Sequence, residues 1–157
     1  MNSIKSLLAL LVLSPFTCNS ITESIKSTPP IEARIEVNGV VFTLTLSKNT
    51  FALSDTLKGT FRVSNQSGDA QRYDFANIQQ LGFRLSDADG KVSLYQPFIV
   101  SPALSSLQLQ SGDSKEYPIF TTFTDHTGKF VDPGEYTLAA FLLDNNSPEV
   151  TLKITVT

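Results

Sequence analysis

From Val40 onward the chain alternates apolar and polar residues with a period of two, and this alternation constrains its fold more than any other feature. Successive side chains of a strand point to opposite faces, so period two marks one buried and one solvated face. In VFTLTL, Phe42, Leu44 and Leu46 share one face and Thr43 and Thr45 the other. In LKGTFRV, Leu57, Phe61 and Val63 oppose Lys58, Thr60 and Arg62. RYDF puts Tyr73 with Phe75, and LGFRL aligns Leu81, Phe83 and Leu85. KVSLY, SLQLQ, KEYPIF, EYTLAAFLL and EVTLKITV continue the series between Gly, Asn, Asp and Pro punctuation. No segment has a convincing helical period. The pattern predicts an all-β fold, a single antiparallel β-sandwich of about 8–9 strands over residues 40–157. EYTLAAFLL is apolar on both faces and is expected at the centre of a sheet. DADG (87–90) reads as a hairpin, QSGD (66–69) as a further turn, and Asp132-Pro133-Gly134 as a type II turn. No repeat is evident.

The N-terminus has a different character. Lys5 precedes the apolar run LLALLVL (Leu7 to Leu13), which Ser14 and Pro15 end. The run is too short to span a bilayer and has the layout of an export signal. Cys18, the sole cysteine of 157 residues, follows it. SPFTC resembles a lipobox, which implies a signal over 1–17 and lipidation of Cys18. The alternative is ordinary secretion, with cleavage after Ser20 discarding the thiol. Residues 18–39, with Pro29 and Pro30 and many Ser and Thr, read as the anchor and a tether; a first strand at ARIEV is the alternative. The domain is thus expected in the cell envelope, on a membrane through its lipid only, or else secreted or periplasmic.

Composition narrows the chemistry. Eleven Phe and four Tyr can supply a core, and the formal charge is −3 with Lys and Arg scattered, so nucleic acid is not an expected partner. One cysteine makes no internal disulfide and no ordinary sulfur-ligated metal site. The one histidine, His126, adjoins Asp125 in FTDHTGKFVDPG, but a Ser-His-Asp triad needs a third partner and no GxSxG elbow is present. SDADGK has neither the glycine spacing nor the closing Glu of a calcium loop, and a hairpin turn accounts for Asp87, Asp89 and Gly90. No catalytic residue, metal or cofactor is expected. Asn65 and Asn145 stand in N-x-S sequons. The segment Gln96 to Ser106, QPFIVSPALSS, carries no charge. It either packs under the sandwich or presents Gln96, Pro97, Phe98, Ile99, Val100, Ser101 and Pro102 to a partner.

Several motifs, VSNQSG, AQRYDF, DADGK, LQSGD and VDPGEYTLAA, occur in the order of the BsuPI-like intracellular proteinase inhibitor domain, and the chain resembles that family over about residues 60–143. The matching positions are Asn65, Gln71, Tyr73, Asp74, Phe75, Asp87, Gly90, Lys91, Gly112, Asp113, Pro133, Gly134 and Tyr136. The chain lacks the family's tryptophans and has extra residues at ANIQQLG (76–82). The resemblance implies an immunoglobulin-like sandwich and a non-enzymatic role, inhibition of a serine protease by an exposed loop. The competing expectation is a non-inhibitory structural or protein-interaction module of the bacterial envelope.

Overall fold

The computed structural model describes residues 30–98 and 101–157, and Cys18 with the expected signal lies outside them. The described residues contain strands and no helix. They form β1 (Ile31–Val37), β2 (Val40–Leu46), β3 (Thr50–Phe51), β4 (Thr56–Asn65), β5 (Gln71–Phe75) and β6 (Leu81–Ser86). There follow β7 (Val92–Gln96), β8 (Ser105–Leu109), β9 (Ser114–Thr122), β10 (Gly134–Leu142) and β11 (Val150–Val156). One sheet has the order β1-β2-β4-β9 and the other β3-β11-β10-β6-β7, with β5 and β8 paired separately. β10 lies between β11 and β6, as its two apolar faces require.

The two large sheets close on one core. Phe42, Leu44, Leu46, Leu57, Phe61 and Ile119 come from the first sheet, and Leu85, Leu138, Leu142, Ile154 and Val156 from the second. Each side chain of this size contributes about 1.5–3 kcal/mol on burial. The β5–β8 pair adds Phe75, Leu107 and Leu109 to the same core, and Tyr73 packs edge-on against Phe42 at 6.4 Å. Tyr136, the third residue of β10, donates from its hydroxyl to the Asp132 carbonyl at 2.7 Å, the geometry of a tyrosine corner.

Two expectations need correction. The sandwich begins at Ile31, before residue 40, because IEARIEV is a strand paired along its full length with β2, from Ile31 opposite Leu46 to Val37 opposite Val40. Asn38 and Gly39 make the hairpin, with φ of 53° and 76°. Positive φ at both central residues is what a type I′ turn requires, and Asn-Gly is its strongest sequence signal. Residues 31–39 are therefore part of the sheet and not of a tether. The second correction concerns Gly134. A type II turn needs positive φ at its glycine, yet Gly134 is absent from the positive-φ glycines and already belongs to β10, opposite Val156.

Asn65 is the one buried polar side chain among the described core residues. Its Nδ2 donates to the carbonyls of Asp69 (2.8 Å) and Leu109 (3.0 Å), and its Oδ1 accepts from Ser67 N (3.0 Å) and Ser67 Oγ (2.6 Å). Its backbone is bonded as well, N–H to Asp113 O and C=O from Gly112 N. Removing a fully bonded buried amide leaves its former partners without hydrogen bonds. Asn65→Ala is expected to cost about 3 kcal/mol, measured by urea unfolding. Asn65→Asp, which keeps the shape but loses both donors and faces two carbonyls, is expected to cost more at neutral than at acidic pH.

Burial pushes the Tyr117 phenol up to about 12 from 10.0, and its hydroxyl donates to Gln80 Oε1 at 2.7 Å. The folded state keeps this proton where the unfolded chain has lost it. The stabilisation is therefore complete below pH 10 and is lost as pH rises towards 12. Unfolding midpoints at about pH 9 and about pH 11 should differ less in Tyr117→Phe than in the parent.

Candidate functional site

The hairpin β6–β7 and the loop after β9 meet at one side of the five-stranded sheet, and both turn on the same five-residue pattern. Asp87-Ala88-Asp89-Gly90-Lys91 and Asp125-His126-Thr127-Gly128-Lys129 each read Asp-x-x-Gly-Lys. In the first, Asp87 N donates to Lys91 O at 3.0 Å and Gly90 N to Asp87 O at 3.0 Å. In the second, Asp125 N donates to Lys129 O at 2.8 Å and Gly128 N to Asp125 O at 3.0 Å. The carboxylates repeat too: Asp87 Oδ1 accepts from the backbone of Asp89 and Lys91, and Asp125 Oδ1 from that of Thr127 and Lys129. Gly90 and Gly128 have φ of 80° and 83°. A carboxylate so bonded to its own turn fixes a loop without a metal. Hydrogen bonding from the Thr127 hydroxyl, then from the backbone N–H groups of Lys129 and Thr127, holds the Asp125 carboxyl below its ordinary range. Sequence reading found the first turn and not its twin, although the repeat of Asp, Gly and Lys was there to be read.

Thr124 and Phe130 close the second turn as a short ladder, so residues 123–131 form a small hairpin beside β7. Between the two runs a groove of about 410 Å³. All five residues of β7 line it, with Thr124, Asp125 and His126 opposite. Consecutive strand residues point to alternate faces, so a groove that touches all five follows the strand's edge. At its end Phe98 stacks on His126, with ring centroids 4.4 Å apart and planes 10° from parallel.

The apolar segment after β7 is exposed at Phe98 and again over residues 101–104. Phe98 is 58% and Leu104 89% accessible, and Ser101, Pro102 and Ala103 are exposed. Of the two readings of this segment, burial under the sandwich fails at these residues. Gln96 and Pro97 are half-buried at its start; Ile99 and Val100 lie outside the described residues. The segment is tied back where Ser101 N donates to Gln79 Oε1 (3.0 Å) and Ile78 N donates to Ser101 O. Ile78, itself 54% accessible, thereby lies beside this segment at Ser101. Nothing in the alternation had singled out Ile78.

The remaining motif residues hold the scaffold. Gln71 Nε2 donates to Ser67 Oγ, Asp74 pairs with Arg72 at 2.8 Å on the surface, and Phe75 is buried. Burial raises the Tyr73 and Tyr136 phenols. Pro133 is exposed ahead of β10. Asn65, the acceptor of one sequon, has its amide fully engaged inside the fold. Among the described residues no three His, Cys, Asp or Glu side chains gather as metal ligands.

No protein-family model matches the chain, and no curated protein does. Among solved structures it is similar to the sporulation control protein Spo0M of Bacillus subtilis, with TM-score 0.49 and 17% identity, over 76% of this chain and 50% of that one. It is also similar to the alkylpurine DNA glycosylase AlkC of Pseudomonas fluorescens, with TM-score 0.47 and 10% identity, over 71% of this chain and 28% of that one. A third is the β-glucosidase EmGH1 of Erythrobacter marinus, with TM-score 0.45 and 16% identity over 82% of this chain. The chain spans 16% of that enzyme's length.

The Phe98–His126 stack has a direct readout, since the chain has one histidine. Phe98→Ala is expected to move the His126 ring protons downfield in the NMR spectrum as the stacked ring is lost. As an exposed substitution it should change stability by only about 0.5 kcal/mol.

Proposed function

We propose that the chain is an exported, lipid-anchored protein-binding domain, whose partner docks on the exposed Phe98, Leu104 and Ile78, along and beside the segment that leaves the β7 groove. One observation carries this reading: an uncharged apolar segment is exposed at Phe98 and over residues 101–104 while being pinned at Phe98 by His126 and at Ser101 by Gln79 and Ile78. Exposed apolar side chains on a tied segment are the usual material of a protein-binding surface, because little conformational entropy remains to be lost on docking. The anchoring half of the proposal rests on the leader and Cys18, and the partner's identity on the motif resemblance. That resemblance points to a serine protease, with the loop entering its cleft and the sandwich serving as a rigid scaffold. The non-inhibitory envelope module uses the same surface without blocking an active site.

Titration of the protein into a panel of serine proteases, following residual activity and the integrity of the domain, separates the two. Saturating inhibition near one-to-one, weakened at least about 30-fold by Phe98→Ala or Leu104→Ala, is expected for the inhibitor. Full protease activity at excess domain would leave the non-inhibitory module.

A further inference from the structure

β1 is an open edge of a kind that the other edges of the two large sheets avoid. β9 carries Pro118 at its middle, opposite Thr60, and proline cannot extend a ladder. β7 has a register shift where Leu85 and Ser86 meet it, and β3 is two residues long. Bulges, prolines, short lengths and charged side chains are devices that keep sheet edges from pairing. β1 has no bulge or proline and is seven residues long, and its three charged residues alternate in sign, so they can pair with a second copy as well as repel one. Its seven residues pair with β2 in unbroken register on one side, and no strand adjoins the other side among the described residues.

The residues on that edge select an occupant. Glu32, Arg34 and Glu36 share the outward face, all exposed, and Arg34 is 3.3 Å from Glu36 of its own strand. Ile35 and Val37, on the other face, are 36% and 39% accessible. In a symmetric antiparallel pairing of two β1 strands, like faces must oppose, which leaves registers two residues apart. Centring on Arg34 sets Arg34 against Arg34 and Glu32 against Glu36, like charges throughout. Centring on Ala33 matches Arg34 with Glu32 but leaves Val37 uncovered. Centring on Ile35 sets Arg34 against Glu36 twice, Ala33 against Val37 twice, and Ile35 against Ile35. This one register matches every charge it pairs and covers both exposed apolar side chains.

We propose that β1 is a self-association edge, through which two copies of the chain pair antiparallel about Ile35 and join their two four-stranded sheets into one. The interface is isologous, so each Arg34–Glu36 contact occurs twice. A contact of one strand on each side belongs with interfaces below about 1,200 Å², so the dimer is concentration-dependent.

Sedimentation velocity over a range from low to high micromolar tests this, on the full chain in mild detergent and on residues 30–157, which hold every described strand and the whole described core. The expected result is a mass that rises towards two protomers. Arg34→Glu and Glu36→Arg should each weaken dimerisation about 30-fold, by turning two attractions into repulsions. An equimolar mixture of the two variants should form a heterodimer, and the double variant should recover the homodimer. That rescue also shows that the variants are folded. A monomer at every concentration would overturn the proposal, and so would a dimer indifferent to the single reversals, which would pair through another edge. A full chain that stays monomeric where residues 30–157 dimerise would overturn it too, by assigning the edge to residues 1–29.

Discussion

The Asn65 amide is the joint on which the sandwich depends. The β5–β8 pair is hydrogen-bonded to neither large sheet as a ladder, so apolar contact alone would leave its register open. Asn65, at the end of β4, bonds the turn leading into β5 and the last residue of β8, while its backbone bonds the turn into β9. Four chain segments meet at one buried side chain with every donor and acceptor used. In a low-dielectric interior such a network is stable only when complete, and that completeness sets one arrangement apart from its neighbours. Gly39 approaches the same place: a Cβ there would stand 2.9 Å from Ser67 Cβ, so the first hairpin also rests on the turn that Asn65 organises.

The scaffold matters for function because of what it holds at its rim. Two Asp-x-x-Gly-Lys turns, each closed by its own carboxylate, set β7 and the 123–131 hairpin on either side of a groove. The exposed apolar segment leaves from the end of that groove and is tied at two places. Rigid turns and a tied segment give a surface whose shape is largely set before a partner arrives, and this preorganisation is what binding affinity draws on. An edge of the other sheet, β1, carries charges of alternating sign, and it serves a different purpose.

The nine segments with period-two alternation all became strands, and β10 lies in mid-sheet as its double apolar face implied. Two strands lie outside those nine segments, β3 unforeseen and β1 expected only as an alternative, for different reasons. β3 is two residues long and has no period to detect. β1 was legible, through Val37-Asn38-Gly39-Val40, but its exposed outer positions and the prolines before it gave the composition of a tether. At the candidate site, the apolar character of residues 96–106 could be read and its exposure could not. The stack of Phe98 on His126, the tie of Ser101 to Gln79 and the arrival of Ile78 are contacts between residues more than twenty positions apart.

The sequence by itself determined the all-β class, the strand faces and most turns, because alternation and turn chemistry act over a few neighbouring residues. Tertiary structure alone decided which strands became edges, that the Asn65 sequon is an interior amide, and that two similar turns stand side by side. Those outcomes depend on which segments pair across the sheets, and no local pattern specifies that pairing.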